Sequence, residues 1–294
     1  MNVRKATAVV LLGIVLLAAF ACGPHDAPAA TPTAVSGEET AEDIRDHALA
    51  AGDDVDTCQF DMEMAIEVSM AVEGEMVDMV LETDGSGALD IPNEKLYMDM
   101  VMVFGMAEIE EMEVAMEVYI VDDWAYAGTS IFGLPPTWVK TPAEAGDWEM
   151  MDIASQQVDL LLDVEVELVG TDTVDGTECW ILELTPDMEK VWALMMAFAS
   201  AGDALPSDLD LEELVTDMSF KQWIAKDTYF TLMTNMDLIL ELTPESLDME
   251  AEADQDFEAM AEMAMLITLS DINEPVTIEL PPEALDAEEA ELPY

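Results

Sequence analysis

Residues 58–72 read C-Q-F-D-M-E-M-A-I-E-V-S-M-A-V, and this stretch restricts the fold more than any other. Its even positions are Cys58, Phe60, Met62, Met64, Ile66, Val68, Met70 and Val72, all apolar. Gln59, Asp61, Glu63, Glu67 and Ser69 stand between them. Strand side chains alternate between faces, so the stretch predicts one long strand with a wet side and a dry, methionine-rich side. A helical period would mix the two sets. Whatever else the chain forms must supply partners along the edges of this strand and a cover for its dry face.

Partners follow in order. The sequence predicts strands at 75–81 and 88–91, separated by a turn at Asp84-Gly85-Ser86-Gly87, then at 96–104 and 112–121. Met98, Met100, Met102 and Phe104 share one face, as do Met112, Val114, Met116, Val118 and Ile120, with Glu113 and Glu117 opposite. Asp122-Asp123 turns the chain into Trp124–Tyr126, and a Gly/Pro loop at 132–137 leads to Trp138. Connections this short join antiparallel neighbours in a meander. The pattern then turns helical at 153–162. A hairpin follows at 165–184, turning on Asp175-Gly176. A helix is expected from Pro186, with Val191, Leu194, Met195 and Phe198 on one face at i, i+3, i+4, i+7 spacing. Ser207 caps a second expected helix over 208–218. Strands resume at 221–226, 229–242, 259–269 and 276–280. The third of these contains Met263 and Met265, and the second places Met236 and Leu238 on its apolar face.

The N-terminus reads as an address. Arg4 and Lys5 precede an uncharged apolar run that ends in small residues and Cys22, the pattern of a secretory signal peptide over residues 1–22. The run is short for a spanning helix. Ala21-Cys22 resembles a bacterial lipobox, which implies a lipid-modified Cys22 and a protein anchored to the outer surface of the cell membrane. Residues 23–50, Pro-rich and acidic at first, read as a disordered tether with a short helix emerging near Ala41. Residues 51–281 form the expected single folded domain, and 282–294 an acidic tail.

Charge excludes several classes. Beyond Cys22 only Arg45, Lys95, Lys140, Lys190, Lys221 and Lys226 are basic, against 66 acids. Nucleic-acid binding needs clustered cations and is excluded. The acids read as a solubilising surface. His25 and His47 both precede the first strand, so a histidine-based centre within the sheet is excluded too. No glycine-rich phosphate loop, nucleophile elbow or metal-spaced His/Cys set occurs, and no enzyme activity or cofactor is expected. The acids at 208–213 do not fit the spacing of a calcium loop. The 24 methionines read as core or cavity lining. A thioether copper site is the sharper alternative, but it requires methionines converging from neighbouring strands, because M-x-M sulfurs on one strand stand about 7 Å apart. Cys58 and Cys179 belong to an exported chain and can form a disulfide. Their alternation does not decide the matter.

Four segments carry a family resemblance. Val166–Leu184 (V-E-L-V-G-T-D-T-V-D-G-T-E-C-W-I-L-E-L) resembles a recurring block of LppX/LprG-type lipoproteins, relatives of the LolA/LolB carriers. Tyr119–Tyr126, the loop tryptophan Trp138 and Lys221–Asp227 resemble further parts of that family, and the M-x-M strands resemble a methionine-rich, acidic subgroup of it. The resemblance implies an α+β fold: a curved antiparallel half-barrel with helices packed on its concave side, where an acyl chain or other apolar ligand is held. On that reading Phe60, Met62, Met64, Ile66, Val68, Met70, Met98, Met100, Met102, Met112, Met116, Leu194, Met195, Phe198, Met236, Leu238, Met263 and Met265 line the cavity. The readings that stay open are a lipid-binding lipoprotein, a non-catalytic surface lipoprotein with a solid core, and a methionine-based copper binder.

Overall fold

The computed structural model describes residues 39–72, 75–106, 109–143, 164–185, 214–242 and 258–289. These residues build one open sheet of twelve strands in the order β12-β6-β5-β4-β3-β2-β1-β11-β10-β9-β8-β7. The strands are β1 (Thr57–Val72), β2 (Glu75–Asp90), β3 (Lys95–Met106), β4 (Ile109–Val121), β5 (Trp124–Ile131) and β6 (Thr137–Pro142), then β7 (Glu165–Val174), β8 (Thr177–Thr185), β9 (Val215–Ala225), β10 (Thr231–Leu242), β11 (Glu258–Ser270) and β12 (Glu288–Glu289). Every pairing is antiparallel except that of β12 with β6. β1 takes a central place, with β2 on one side and β11 on the other.

The turns explain why neighbours in sequence become neighbours in the sheet. Asp122 and Asp123 both have positive φ, 53° and 64°, and Asp175 and Gly176 have 46° and 88°. Two left-handed residues in succession make the turn whose twist matches a hairpin, and short Asp and Gly side chains tolerate it.

The sequence pattern misleads in four places. Asp84–Gly87 is not a turn: β2 runs unbroken through it, with Glu63 opposite Asp84 and Phe60 opposite Gly87. A Cβ on Gly87 would lie 2.3 Å from both the Phe60 ring and the Tyr97 carbonyl, so the glycine is there to let a ring and a backbone approach. Residues 215–218, expected to close a helix, begin β9: Val215 and Met218 pair with Leu240 and Leu238 and pack into the main core, and tertiary pairing outweighs the local pattern. Residues 276–280 join no ladder. Val276, Ile278 and Leu280 instead pack against Tyr97, Tyr119 and Trp138. The tail is not wholly frayed either, since Ala284 and Ala287 are buried in that same cluster and Glu288–Glu289 pair with Val139–Lys140.

Among the described residues one α-helix stands, α1 (Ala41–Gly52), beside short 3₁₀ turns at Ile91–Asn93 and Pro282–Asp286. Thr40 caps α1 in a reciprocal capping box with Asp43. The box holds the Asp43 carboxyl below its usual range, first through the bond to the Thr40 backbone. Ile44 and Ala48 press onto Leu182, Leu184, Phe220 and Ile224, so the last part of the expected tether belongs to the folded body. Arg45 donates to the Val164 carbonyl at 3.2 Å, and Tyr229 donates to Glu39 at 2.7 Å.

A candidate ligand-binding face

Register carries the dry face of β1 across the sheet in continuous rows. One runs Met112, Phe104, Leu81, Ile66, Met263, Leu238, Met218 from β4 to β9. The next runs Val114, Met102, Thr83, Met64, Met265, Met236, Phe220. A third runs Met116, Met100, Gly85, Met62, Ile267, Thr234, Gln222, Leu182. Directly opposed side chains in such rows stand about 5 Å apart, close enough for each to pack on the next.

Fifteen of the expected lining residues lie among those described, and the structure puts them on this face. Phe60, Met64, Ile66, Val68, Met70, Leu238, Met263 and Met265 are buried in one cluster, and Met62, Met98, Met102, Met116 and Met236 are half-buried against it. Met100 is half-buried beside Gly85, and Met112 is 39% exposed at the rim. Leu194, Met195 and Phe198 lie outside the described residues, as does Cys22.

Polar groups interrupt the rows at few points. Gln222 donates to Thr234 at 3.4 Å, and both are fully buried. Thr83 is 2% exposed, and its hydroxyl has no hydrogen-bond partner. Thr83 and the two glycines beyond it were not legible as parts of this face, because they sit in or beside the stretch that reads as a turn.

The opposite face differs in kind. Glu117, Asp99, Ser86, Asp61, Thr268, Met233, Trp223 and Ile181 form one row across it. Along this row runs an open groove of about 700 Å³, whose walls include Asp61, Glu63, Asp84, Asp99, Asp172, Asp175 and Trp223. Trp223 Nε1 donates to Asp172 at 3.4 Å. Among the described residues no three His, Cys, Asp or Glu side chains converge as a metal site would need. Towards the β6 edge burial pushes the Tyr97 and Tyr119 phenols up, with Asp99 and Glu117 adding to it.

Cys58 and Cys179 are not joined. Cys58 belongs to the main core and Cys179 to a separate cluster with Ile181 and Trp223, on the other face. Four strand steps, about 19 Å by the usual spacing, separate β1 from β8, whereas a disulfide needs Cα atoms within about 7 Å. Burial pushes the Cys179 thiol up, so it stays protonated and unreactive.

Three solved structures are similar to this chain. Lipoprotein LppX of Mycobacterium tuberculosis is 14% identical, covering 80% of this chain and 96% of its own, at a TM-score of 0.35. A DUF1329 family protein from Desulfovibrio piger is 14% identical over 82% of this chain and 95% of its own, at 0.24. A LolA superfamily protein from Nitrosomonas europaea is 10% identical over 83% and 96%, at 0.20. No family model and no curated protein matches the chain. The three are of the LolA/LppX-like kind that the sequence resembles, at identities and TM-scores too low to carry a function across.

Proposed function

We propose that the protein is a lipid-anchored, extracytoplasmic lipoprotein that binds a lipid or another hydrophobic molecule on the methionine-rich face of its sheet. In this reading Cys22 carries the anchor. The sheet is curved with that face concave. No catalysis is involved.

One observation carries the reading. Around the buried centre at Met64, Ile66, Met263 and Met265, the side chains of Met62, Met98, Met102, Met116 and Met236 remain half-buried. A finished core ends on polar residues, whereas this one ends on unbranched thioethers that change rotamer at little cost. Such a margin suits a floppy apolar guest. Large apolar surfaces with few polar groups are also what hydrophobic ligand sites present.

The test is to extract the full chain in mild detergent and analyse it by native mass spectrometry, alongside titration with a neutral fluorescent apolar probe. Co-purified lipid or saturable uptake of the probe supports the reading. A clean apoprotein that takes up no probe sinks it and leaves a solid-cored surface lipoprotein.

A second reading draws on Met236, Met265 and Met64, which stand side by side on three neighbouring strands. Three thioethers from adjacent strands are the arrangement a Cu(I) site requires. Titration with Cu(I) under a competing chelator decides it, and the absence of binding removes the copper reading.

A further inference from the structure

We infer that the Thr83 hydroxyl is the polar anchor of the bound molecule, and that this molecule is a neutral acyl ester, not a plain hydrocarbon. The inference rests on the reading above, that an apolar ligand occupies the methionine face.

Thr83 lies in the middle of β2, with Met64 on one neighbouring strand and Met102 on the other. Along its own strand Leu81 and Gly85 share its face. It is 2% exposed, and its Oγ1 has no partner. A buried hydroxyl in that condition costs stability that valine, of nearly the same shape, would not. The other polar pair on this face, Gln222 and Thr234, share a hydrogen bond, whereas the Thr83 hydroxyl, the one donor this side chain has, makes none. Burial without a partner is explained if the partner arrives with the ligand.

The neighbouring residues fit such an arrival. Gly85 has no side chain, and Met62 and Met100 fold over it, with Cε and Cγ each 3.2 Å from where a Cβ would stand. Met102, directly across from Thr83, is only half-buried. Movable thioethers thus form the roof on the side from which a chain would slide in. A hydroxyl donates to an acceptor, and the three rows of this face contain no Lys or Arg to hold an anion. In so acidic a chain an anionic headgroup would also be repelled. An ester carbonyl on an acyl chain meets both conditions, because it accepts one hydrogen bond and carries no charge.

The experiment uses the full chain and a neutral reporter, N-phenyl-1-naphthylamine, with monopalmitoylglycerol and hexadecane as competitors. Thr83→Val should bind the reporter and yield to hexadecane as the unaltered protein does, while its affinity for monopalmitoylglycerol falls about tenfold, the worth of one well-made hydrogen bond. Thr83→Ser should retain that affinity, and Thr83→Val without ligand should melt at a higher temperature. Thr83→Ala provides the same comparison if the valine variant does not fold. Equal displacement by monopalmitoylglycerol from the valine and unaltered proteins overturns the anchor while leaving the apolar site standing. Failure of the unaltered protein to take up the reporter overturns the site itself, and the anchor with it.

Discussion

Two regions of the sheet, β8–β9 beside one edge and β1–β3 in the middle, are built on different terms. At β8 and β9 both faces are dry: Leu182, Leu184, Phe220 and Ile224 lie under α1, while Cys179, Ile181 and Trp223 form a second cluster on the far side. Gln222, Trp223, Ile224 and Ala225 are buried in succession. Where the groove crosses β1–β3 only the methionine face is dry, and the other carries Asp61, Asp84 and Asp99; further along that other face Ala88 and Tyr97 are covered again, with Tyr119 and Trp138. A strand covered on both sides has no use for alternation, whereas a strand covered on one side depends on it. The β8–β9 end is therefore suited to be the fixed foundation. The methionine region, held from one side by adaptable side chains, is suited to admit a guest.

Truncations measure that contrast. Phe60→Ala should cost the most, about 3–5 kcal/mol, because the ring fills the space that Gly87 leaves and the void cannot collapse onto a backbone. Ile224→Ala, fully buried under α1, should cost about 2–5 kcal/mol. Met102→Ala, on the half-open margin, should fall well below both, at about 1 kcal/mol, the ordinary scale of a point substitution. Urea midpoints at constant m-value give all three. A Met102 cost equal to that of Ile224 would mean that the methionine margin is solid core, and the contrast between the two regions would fail.

The foundation also depends on α1, which begins at a cap the sequence displays. Thr40→Ala removes the side-chain acceptor for the Asp43 amide and should cost about 1 kcal/mol. The loss should appear as faster hydrogen exchange in α1, with β1–β3 unaffected. Uniform loosening of the whole sheet would show that the two regions unfold as one.

These contrasts also explain what could be read in advance. The alternation of Cys58–Val72 and the Asp-Asp and Asp-Gly turns are local signals, and the structure obeys them. Gly85 and Gly87 send the same local signal but sit mid-strand, because the Phe60 ring and the β3 backbone need the room. That reason lies on neighbouring strands and is invisible along the chain. Residues 215–218 mislead for a similar reason, since their partners on β10 lie some twenty residues on. The methionine face was legible because strand parity reveals it. Thr83 was not, because a lone threonine becomes informative only once it is known to be buried without a partner.

The wet face has its own signature, like charges set directly across from each other. Asp99 opposes Glu117, and Glu67 opposes Glu262. Directly opposed like charges on neighbouring strands repel. Asp99→Lys would turn the first into an opposed pair and should stabilise the protein by about 0.2–1 kcal/mol at low salt. The gain should shrink as added salt screens the charges. A gain that salt leaves untouched would place its origin in packing.

The smallest expected effect concerns Asp237, on β10 between the two regions. The residue is exposed overall, but partial desolvation of its carboxyl raises it above the ordinary value, with Lys221 opposing the shift and Asp217 adding to it. An acid whose folded value is raised binds its proton more tightly when folded. Its contribution to stability therefore falls as pH climbs from the unfolded value through the folded one, and stays lost above that. Asp237→Asn removes the charge and should stabilise the protein slightly at pH 7. The advantage should fade as pH falls towards the ordinary aspartate range, where the unaltered residue is neutral as well. Denaturation midpoints across that range carry the sign. An advantage that grows towards acid pH would mean that Lys221 dominates, and that this part of β10 belongs electrostatically with the charged face of β1–β3.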